Sequence, residues 1–246
     1  MYLAFGRPRP DFALANREHL AVVLEGADAL AQWLEIHPET VLDLEGADLE
    51  GIDLRDAQLR DAHLKGANLT GATLSRTSLA GADLYEANLT GADLGHASLA
   101  GARCSKANLT NVNLFWSDLK RADLKDAGLR WSRLVRASLM GADLTGADLS
   151  QATMIEADLR NANLTQATLR SANMNGADLS RATMDGADFT LAMIRDSMWI
   201  AADMRGANFQ GASLHRSDLA LAKYDASTLF PKGFDPENTG PRDVVD

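Results

Sequence analysis

The chain has 246 residues with a hydrophobic share of 46% and a charged share of 24%, a composition that argues against a disordered protein. Its net charge of −10 argues against a strongly basic nucleic-acid-binding protein, and its single cysteine, Cys104, excludes a disulfide framework and a cysteine-based zinc site. With neither a run of about 18 apolar residues nor a secretory signal pattern, we expect a cytoplasmic protein without a transmembrane helix.

The N-terminal part predicts helix. Residues 16–36 carry apolar side chains at spacings of three and four. Asn16 is suited to cap the start, Pro38 lies just past the end, and Gly26 can divide the stretch into two shorter helices. Because the ends of a repeat array expose unpaired edges, we interpret residues 1–41 as a helical cap. A partner-binding helix is the alternative.

A five-residue period governs the next three quarters of the chain. From Leu44 to Tyr224 every fifth residue is apolar or aromatic, and 27 of these 37 residues are Leu. A second set of 36 residues, from Ala47 to Ala222, lies two residues before these apolar residues, and 29 of the set are Ala. An α-helix would scatter these leucines, since five residues rotate by about 500°, and a flat strand would alternate their faces. The chain must therefore turn a corner in every unit.

Four such units make one coil. About nine coils, stacked as parallel strands about 4.8 Å apart, would form a rod of about 45 Å. Residues that are one coil apart should then stack, as for Phe189 with Phe209, and for Met184, Met204 and Tyr224 as one interior column. Glycines at the second residue after many of the core residues would occupy the corners, where glycine relieves turn strain.

The repeat resembles a known family. The units Ala82-Asp83-Leu84-Tyr85-Glu86 and Ala92-Asp93-Leu94-Gly95-His96 resemble the A(D/N)Lxx signature of pentapeptide-repeat proteins. The resemblance covers about residues 42–226 and implies an all-β solenoid, a right-handed quadrilateral parallel β-helix. Residues 224–236 resemble the closing segment of cyanobacterial and other bacterial members. We interpret residues 227–246 as an irregular capping tail, with Phe230 and Phe234 plugging the last coil.

The sequence predicts no enzyme. The five histidines are scattered and none repeats at the interval of one coil, so we predict no metal site. There is no nucleophile–base pair and no glycine-rich phosphate loop, so we predict no catalytic residues and no cofactor. Cys104 occupies an interior leucine position and is predicted to be a core residue.

Large apolar residues at outward positions indicate where a partner could bind. They are Tyr85, Phe115, Trp116, Trp131, Val135, Met140 and Ile155. Phe115, Val135 and Ile155 follow one another at intervals of one coil, which predicts that they form one column on one face. Trp116 would end that face, and Trp131 would lie at the corner where the next coil enters it. Such a patch favours an interface. A locally distorted coil that buries Trp116 or Trp131 is the alternative.

Charge is segmented along the chain. Residues 1–102 have a net charge of −9, residues 103–136 of +5, and residues 137–246 of −6. We call residues 103–136 the waist. The alternative interpretation is that the charges of the waist are only part of a solvated surface. The waist carries most of the predicted protein interface, which comprises Phe115, Trp116, Trp131, Arg133, Val135, Arg136 and Ile155.

Two functions fit these features. One is a non-enzymatic scaffold that binds a partner protein or a second copy through its surface. The other, implied by the family resemblance, is a DNA mimic that binds DNA gyrase and protects it from topoisomerase inhibitors. The net charge favours the mimic. However, 14 of the 34 acidic residues are Asp in the position just before a core residue, where they can bond the local backbone. We therefore favour the scaffold, without direct nucleic-acid or membrane binding.

Overall fold

The computed structural model describes residues 15–238. Two α-helices, α1 Arg17–Leu24 and α2 Ala27–Ile36, precede a long coiled array, and a short 3₁₀ helix spans Pro236–Asn238. Between them the described residues contain parallel single-residue bridges rather than extended strands. Neither α1 nor α2 has the length and apolarity needed to cross a bilayer, and no other helix of the described residues does.

The two helices are joined to the first coil. The Asn16 carboxamide oxygen accepts hydrogen bonds from the Glu18 and His19 amides, and so caps α1. Gly26, with φ of 100°, separates α1 from α2, which confirms the predicted division. The Asp43 amide donates to His19 Nδ1 at 2.9 Å. Val23 and Leu30 are fully buried in the same core as the coil leucines.

The coil repeats after four units. Asp43 bridges His63 in parallel, and the same spacing recurs on every side up to the bridge between Asp203 and Lys223. At each bridge two backbone hydrogen bonds connect neighbouring coils, as at His63, whose carbonyl accepts from the Leu44 amide at 2.8 Å. Four bridges per period give the solenoid four sides, so side chains at equivalent positions of successive coils lie one above the other.

Corners follow a single backbone conformation. The Ala47 amide donates to the Leu44 carbonyl at 3.0 Å, which closes a turn with Gly46 at its third position. Every fifth residue from Gly46 to Leu221 has φ between 54° and 72°. Glycine reaches this left-handed region without the steric cost that other residues meet, which confirms the structural interpretation of the corner glycines.

The core lies inside the four sides. Every fifth residue from Leu44 to Leu219 is buried, including Cys104. Phe189 and Phe209 stack with ring centroids 4.8 Å apart, as predicted. The prediction for Tyr224 is wrong, because its side chain is 38% exposed.

The exposure of Tyr224 has a simple cause. The chain leaves the regular register here, since Asn208 bridges Leu229, one residue beyond the partner that the period would give it. Tyr224 therefore lies in the last turn of the array and packs edge-on against Phe230, 5.4 Å away between ring centroids. Phe230 in turn stacks on Phe209 and on Phe234, so the aromatic column continues past the last regular coil.

Candidate functional site

The acidic residues of the repeat are tied to its backbone. All 14 Asp in the position before a core residue accept a hydrogen bond from the amide two residues on, as Asp83 does from Tyr85 at 3.1 Å. Asn side chains in this position accept the same hydrogen bond, as Asn68 does from the Thr70 amide. This confirms that much of the negative charge belongs to the turn chemistry of the repeat.

Most cations of the waist have acidic neighbours. Five of its eight Lys and Arg side chains lie within ion-pair distance of a carboxylate; the pairs are Arg103–Asp83, Lys120–Asp118, Lys125–Asp143, Arg130–Asp148 and Arg136–Glu156. Such exposed pairs add little stability, but they reduce the positive field that the sequence suggests. Within residues 15–238, Lys106, Arg121 and Arg133 form no ion pair, although Lys106 donates a hydrogen bond to the Tyr85 hydroxyl.

Three adjacent rungs on one side of the solenoid bring the predicted interface residues together. They are residues 111–116, 131–136 and 151–156, which we call the tryptophan face. Arg133 occupies the middle of this face, where it bridges Asn113 on one side and Thr153 on the other. Trp116 and Trp131 lie at its two bounding corners, and each is 50% exposed. The alternative in which a distorted coil buries either tryptophan is therefore wrong.

Trp116 is held by neighbours from two coils. Its ring meets the Phe115 ring edge-on, with centroids 6.3 Å apart. The Arg136 guanidinium lies 5.4 Å from the centre of the Trp116 ring and pairs with Glu156 at 2.6 Å. The hydrogen bond from Arg136 to Glu156 raises the pKa of that guanidinium. These contacts favour one orientation of the indole along the corner of the solenoid.

Trp131 is held in a separate arrangement. The Arg130 guanidinium lies 4.9 Å from the centre of its ring, and its Nε1 donates to the Gln151 carboxamide oxygen. No ring contact among the described residues joins Trp131 to Trp116. The two indoles therefore frame the face, with Arg133 and Val135 between them.

The predicted apolar column is less exposed than expected. Phe115, Val135 and Ile155 do occupy successive coils, since the Trp116 amide donates to the Val135 carbonyl and the Arg136 amide to the Ile155 carbonyl. Their side chains are half-buried. They are the less exposed apolar residues of the tryptophan face, whereas the two indoles form its exposed edges.

The structure also presents a second apolar surface, which the sequence survey missed. We call it the C-terminal strip, and it comprises Leu191, Met193, Met198, Ile200 and Leu221, all exposed. Leu191 and Met193 lie on the same side as the tryptophan face, two coils beyond its last rung. Leu191, Ile200 and Leu221 lie one or two residues after a core residue, which is the same sequence signal that predicts the tryptophan face.

The described residues hold no metal cluster and no reactive thiol. No group of three or more His, Cys, Asp or Glu within residues 15–238 could hold a metal ion. Cys104 is fully buried, and burial raises the pKa of its thiol to about 12, with smaller contributions from Asp123 and Asp83. The thiol therefore stays protonated near neutral pH.

Comparison with known proteins identifies the family. The family model for pentapeptide repeats matches eight copies between residues 42 and 223, which include the three rungs of the tryptophan face. The chain belongs to the pentapeptide-repeat family. No curated protein matches it.

Several solved pentapeptide-repeat structures are similar to the chain. HetL, a pentapeptide repeat protein involved in heterocyst differentiation regulation in Nostoc sp. strain PCC 7120, is 34% identical, with 72% of this chain and 82% of HetL covered and a TM-score of 0.35. A pentapeptide repeat protein of the Arabidopsis thaliana thylakoid lumen is 35% identical over 43% of this chain and 66% of its own, with a TM-score of 0.31. QnrB1, a plasmid-mediated fluoroquinolone resistance protein, is 19% identical, with 72% and 92% covered and a TM-score of 0.43.

Proposed function

We propose that this pentapeptide-repeat protein is a non-enzymatic scaffold that binds another protein through its tryptophan face. The observation that carries the proposal is the half exposure of both Trp116 and Trp131 at the edges of one flat side. Indole rings bury a large area when a partner covers them, and tryptophan is enriched among the residues that dominate binding energy.

The geometry also lowers the cost of binding. Arg136 contacts the Trp116 ring and Arg130 the Trp131 ring, so both side chains are restricted before a partner binds and less ordering is needed on binding. Immobilising a free side chain at an interface costs about 0.5–1.5 kcal/mol. Both indoles project from a backbone that hydrogen bonds to the coils on either side, which makes the face a rigid platform.

The rest of the rod would serve as the support for this face. In this proposal the solenoid is a right-handed quadrilateral β-helix of about nine coils. The described residues 15–41 would cap its first coil, where α1 and α2 pack, and residues 227–238 would close the other end; the predicted caps also include residues 1–14 and 239–246, which lie outside the described residues. The protein would act in the cytoplasm, and its partner would be a protein rather than a nucleic acid or a membrane.

A gyrase-binding DNA mimic is the second candidate, favoured by the net charge of −10. Two observations weigh against it. The 14 Asp of the repeat are distributed over all four sides and bond the local backbone, and paired cations interrupt the acidic surface at the waist. A gyrase supercoiling assay with and without a quinolone separates the candidates. Inhibition or protection at micromolar protein would favour the mimic, and neither effect would remove it.

Affinity capture from the host and sedimentation test the scaffold. The test variant is Trp116→Ser/Trp131→Ser, and the matched control is Met198→Ser/Ile200→Ser, which removes exposed apolar side chains from the C-terminal strip. We expect the test variant to lose a specific partner, or a dimer, that the wild type and the control retain. Identical capture and identical sedimentation of all three proteins would contradict the proposal.

A further inference from the structure

Arg133 differs from the other cations near the tryptophan face. Its side chain is exposed at the centre of the face and forms no ion pair or hydrogen bond within residues 15–238. Arg130 pairs with Asp148 and Arg136 pairs with Glu156. Arg133 therefore keeps all five guanidinium N–H donors open to a ligand.

The electrostatic surroundings of Arg133 favour a negative ligand. Among residues 111–116, 131–136 and 151–156, Glu156 is the single acidic residue, and its carboxylate is paired with Arg136 at 2.6 Å. The neighbours of Arg133 on adjacent coils, Asn113 and Thr153, are uncharged. A carboxylate that approached the centre of this face would therefore meet an open cation, whereas the unpaired carboxylate of Asp93 on the same side lies two coils from Arg133 and accepts a hydrogen bond from Asn113.

We infer that the tryptophan face recognises an acidic segment of the partner protein. An Asp or Glu side chain of that segment pairs with Arg133, and guanidinium is suited to bind a carboxylate through two parallel hydrogen bonds. Apolar residues beside that carboxylate pack on Trp116 and Trp131. This inference rests on the proposed function and adds the chemistry of the partner.

The same observations disfavour two other occupants. A nucleic acid needs several cations along its phosphate backbone, whereas this face offers one open guanidinium in a protein of net charge −10. A second copy joined by a two-fold axis through this face would bring Arg133 and Arg136 towards the same residues of its mate. The one carboxylate available there, Glu156, is already paired.

Selection from a displayed library of random dodecapeptides tests the inference. The full chain is the bait, and the Trp116→Ser/Trp131→Ser variant is the counter-selection. We expect enriched peptides that place Asp or Glu next to apolar residues. In tryptophan-fluorescence titrations with a synthetic enriched peptide, Arg133→Glu should weaken binding about tenfold or more. Changing the acidic residue of the peptide to Lys should restore binding to the Arg133→Glu variant.

A matched control and two distinct negative outcomes complete the test. Arg121→Glu reverses the other unpaired arginine of the waist, which lies outside the three rungs of the tryptophan face, and should leave the affinity unchanged. Peptides that require Trp116 and Trp131 but bind the Arg133→Glu variant equally well would overturn the acidic-segment inference and leave the scaffold standing. Failure to enrich any peptide relative to the Trp116→Ser/Trp131→Ser variant would count against both.

Discussion

The coils from Leu44 to Leu179 and those from Met184 to Phe209 share one backbone but differ in what lines them. Leucine fills nearly every interior position of the first region, whereas the second has Met184, Phe189, Ile194, Trp199, Met204 and Phe209 in succession. All of these side chains are buried, and the corners keep the same φ. The comparison shows that the corner turns and the inter-coil hydrogen bonds set the backbone, while the interior accepts other shapes if their neighbours change together.

The aromatic region shows what such a joint change involves. Trp199 meets Phe189 and Phe209 edge-on, with ring centroids 5.7 and 5.6 Å away. Its buried Nε1 donates to Ser197 Oγ at 2.7 Å, and that hydroxyl donates in turn to the Ile194 carbonyl. Ser197 occupies a position where most repeats have Ala. The Ser197 hydroxyl therefore accepts the hydrogen bond that the buried indole N–H of Trp199 needs.

Removing the largest interior side chain should have the greatest effect. Trp199→Ala should lower the free energy of unfolding by about 3–5 kcal/mol, because it leaves a cavity beside the stacked rings of Phe189 and Phe209. Leu144→Ala, in the leucine-lined region, should cost about 2–5 kcal/mol. Urea unfolding followed by circular dichroism measures both.

Hydrogen exchange shows where each of these variants loosens. The amides of residues 184–209 should lose protection first in Trp199→Ala, and those of the coils around residue 144 in Leu144→Ala. Uniform loss of protection in both variants would indicate that the two regions unfold as a single unit.

The two regions should respond differently to the loss of one hydroxyl. Ser197→Ala leaves the buried Trp199 Nε1 without its acceptor and should cost about 1–3 kcal/mol. Ser132→Ala, in the leucine-lined region, removes only the hydrogen bond to the Leu129 carbonyl, so we expect a cost below about 1.5 kcal/mol.

Denaturant titration compares these variants. Trp199→Phe, which has no indole N–H to satisfy, provides the control background, in which Ser197→Ala should cost less than it does in the wild type. Equal costs for the two serines would show that Trp199 finds another acceptor.

Exchanging corner residues tests whether the backbone is the same in both regions. Gly91 has φ of 69°, and no atom lies within 4 Å of the place that a Cβ would take, so Gly91→Ala isolates the cost of the left-handed conformation, about 1 kcal/mol. Ala201, with φ of 56°, occupies the equivalent position in the aromatic region, and Ala201→Gly should add about 0.5 kcal/mol. Opposite shifts in thermal midpoint are expected; shifts of the same sign would contradict a common corner geometry.

Acid should weaken the two regions in a similar way. The pKa of Asp158 lies below its ordinary 3.8 because of a hydrogen bond from Arg160, and that of Asp203 is lowered in the same manner by Arg205. A carboxylate whose pKa is lowered by folding stabilises the protein fully above its unfolded pKa and loses that contribution as pH falls through the folded value.

Unfolding midpoints between about pH 6 and 2 check this dependence. Stability should fall over the acidic part of the range in the wild type. Asp158→Asn and Asp203→Asn, which keep an oxygen acceptor for the backbone amide, should each flatten the curve slightly and by similar amounts. A steeper fall in either variant would contradict the assigned sign.

Local, repeated information was enough to predict most of the fold. Each five-residue unit contains its own core residue, small residue and corner, so the period by itself determined the solenoid and its buried positions. The same logic identified the turn role of the Asp before each core residue. It failed at Tyr224, because the one-residue change of register at Leu229 depends on how the last coil closes.

The tertiary structure decided the character of the surface. Arg130, Arg133 and Arg136 are alike in sequence, yet Arg133 alone is unpaired within residues 15–238. The carboxylates that reach the other two, Asp148 and Glu156, belong to the next coil of the chain. Coil stacking brings such distant residues together, so only the folded chain determines which cation of the tryptophan face remains open to a partner.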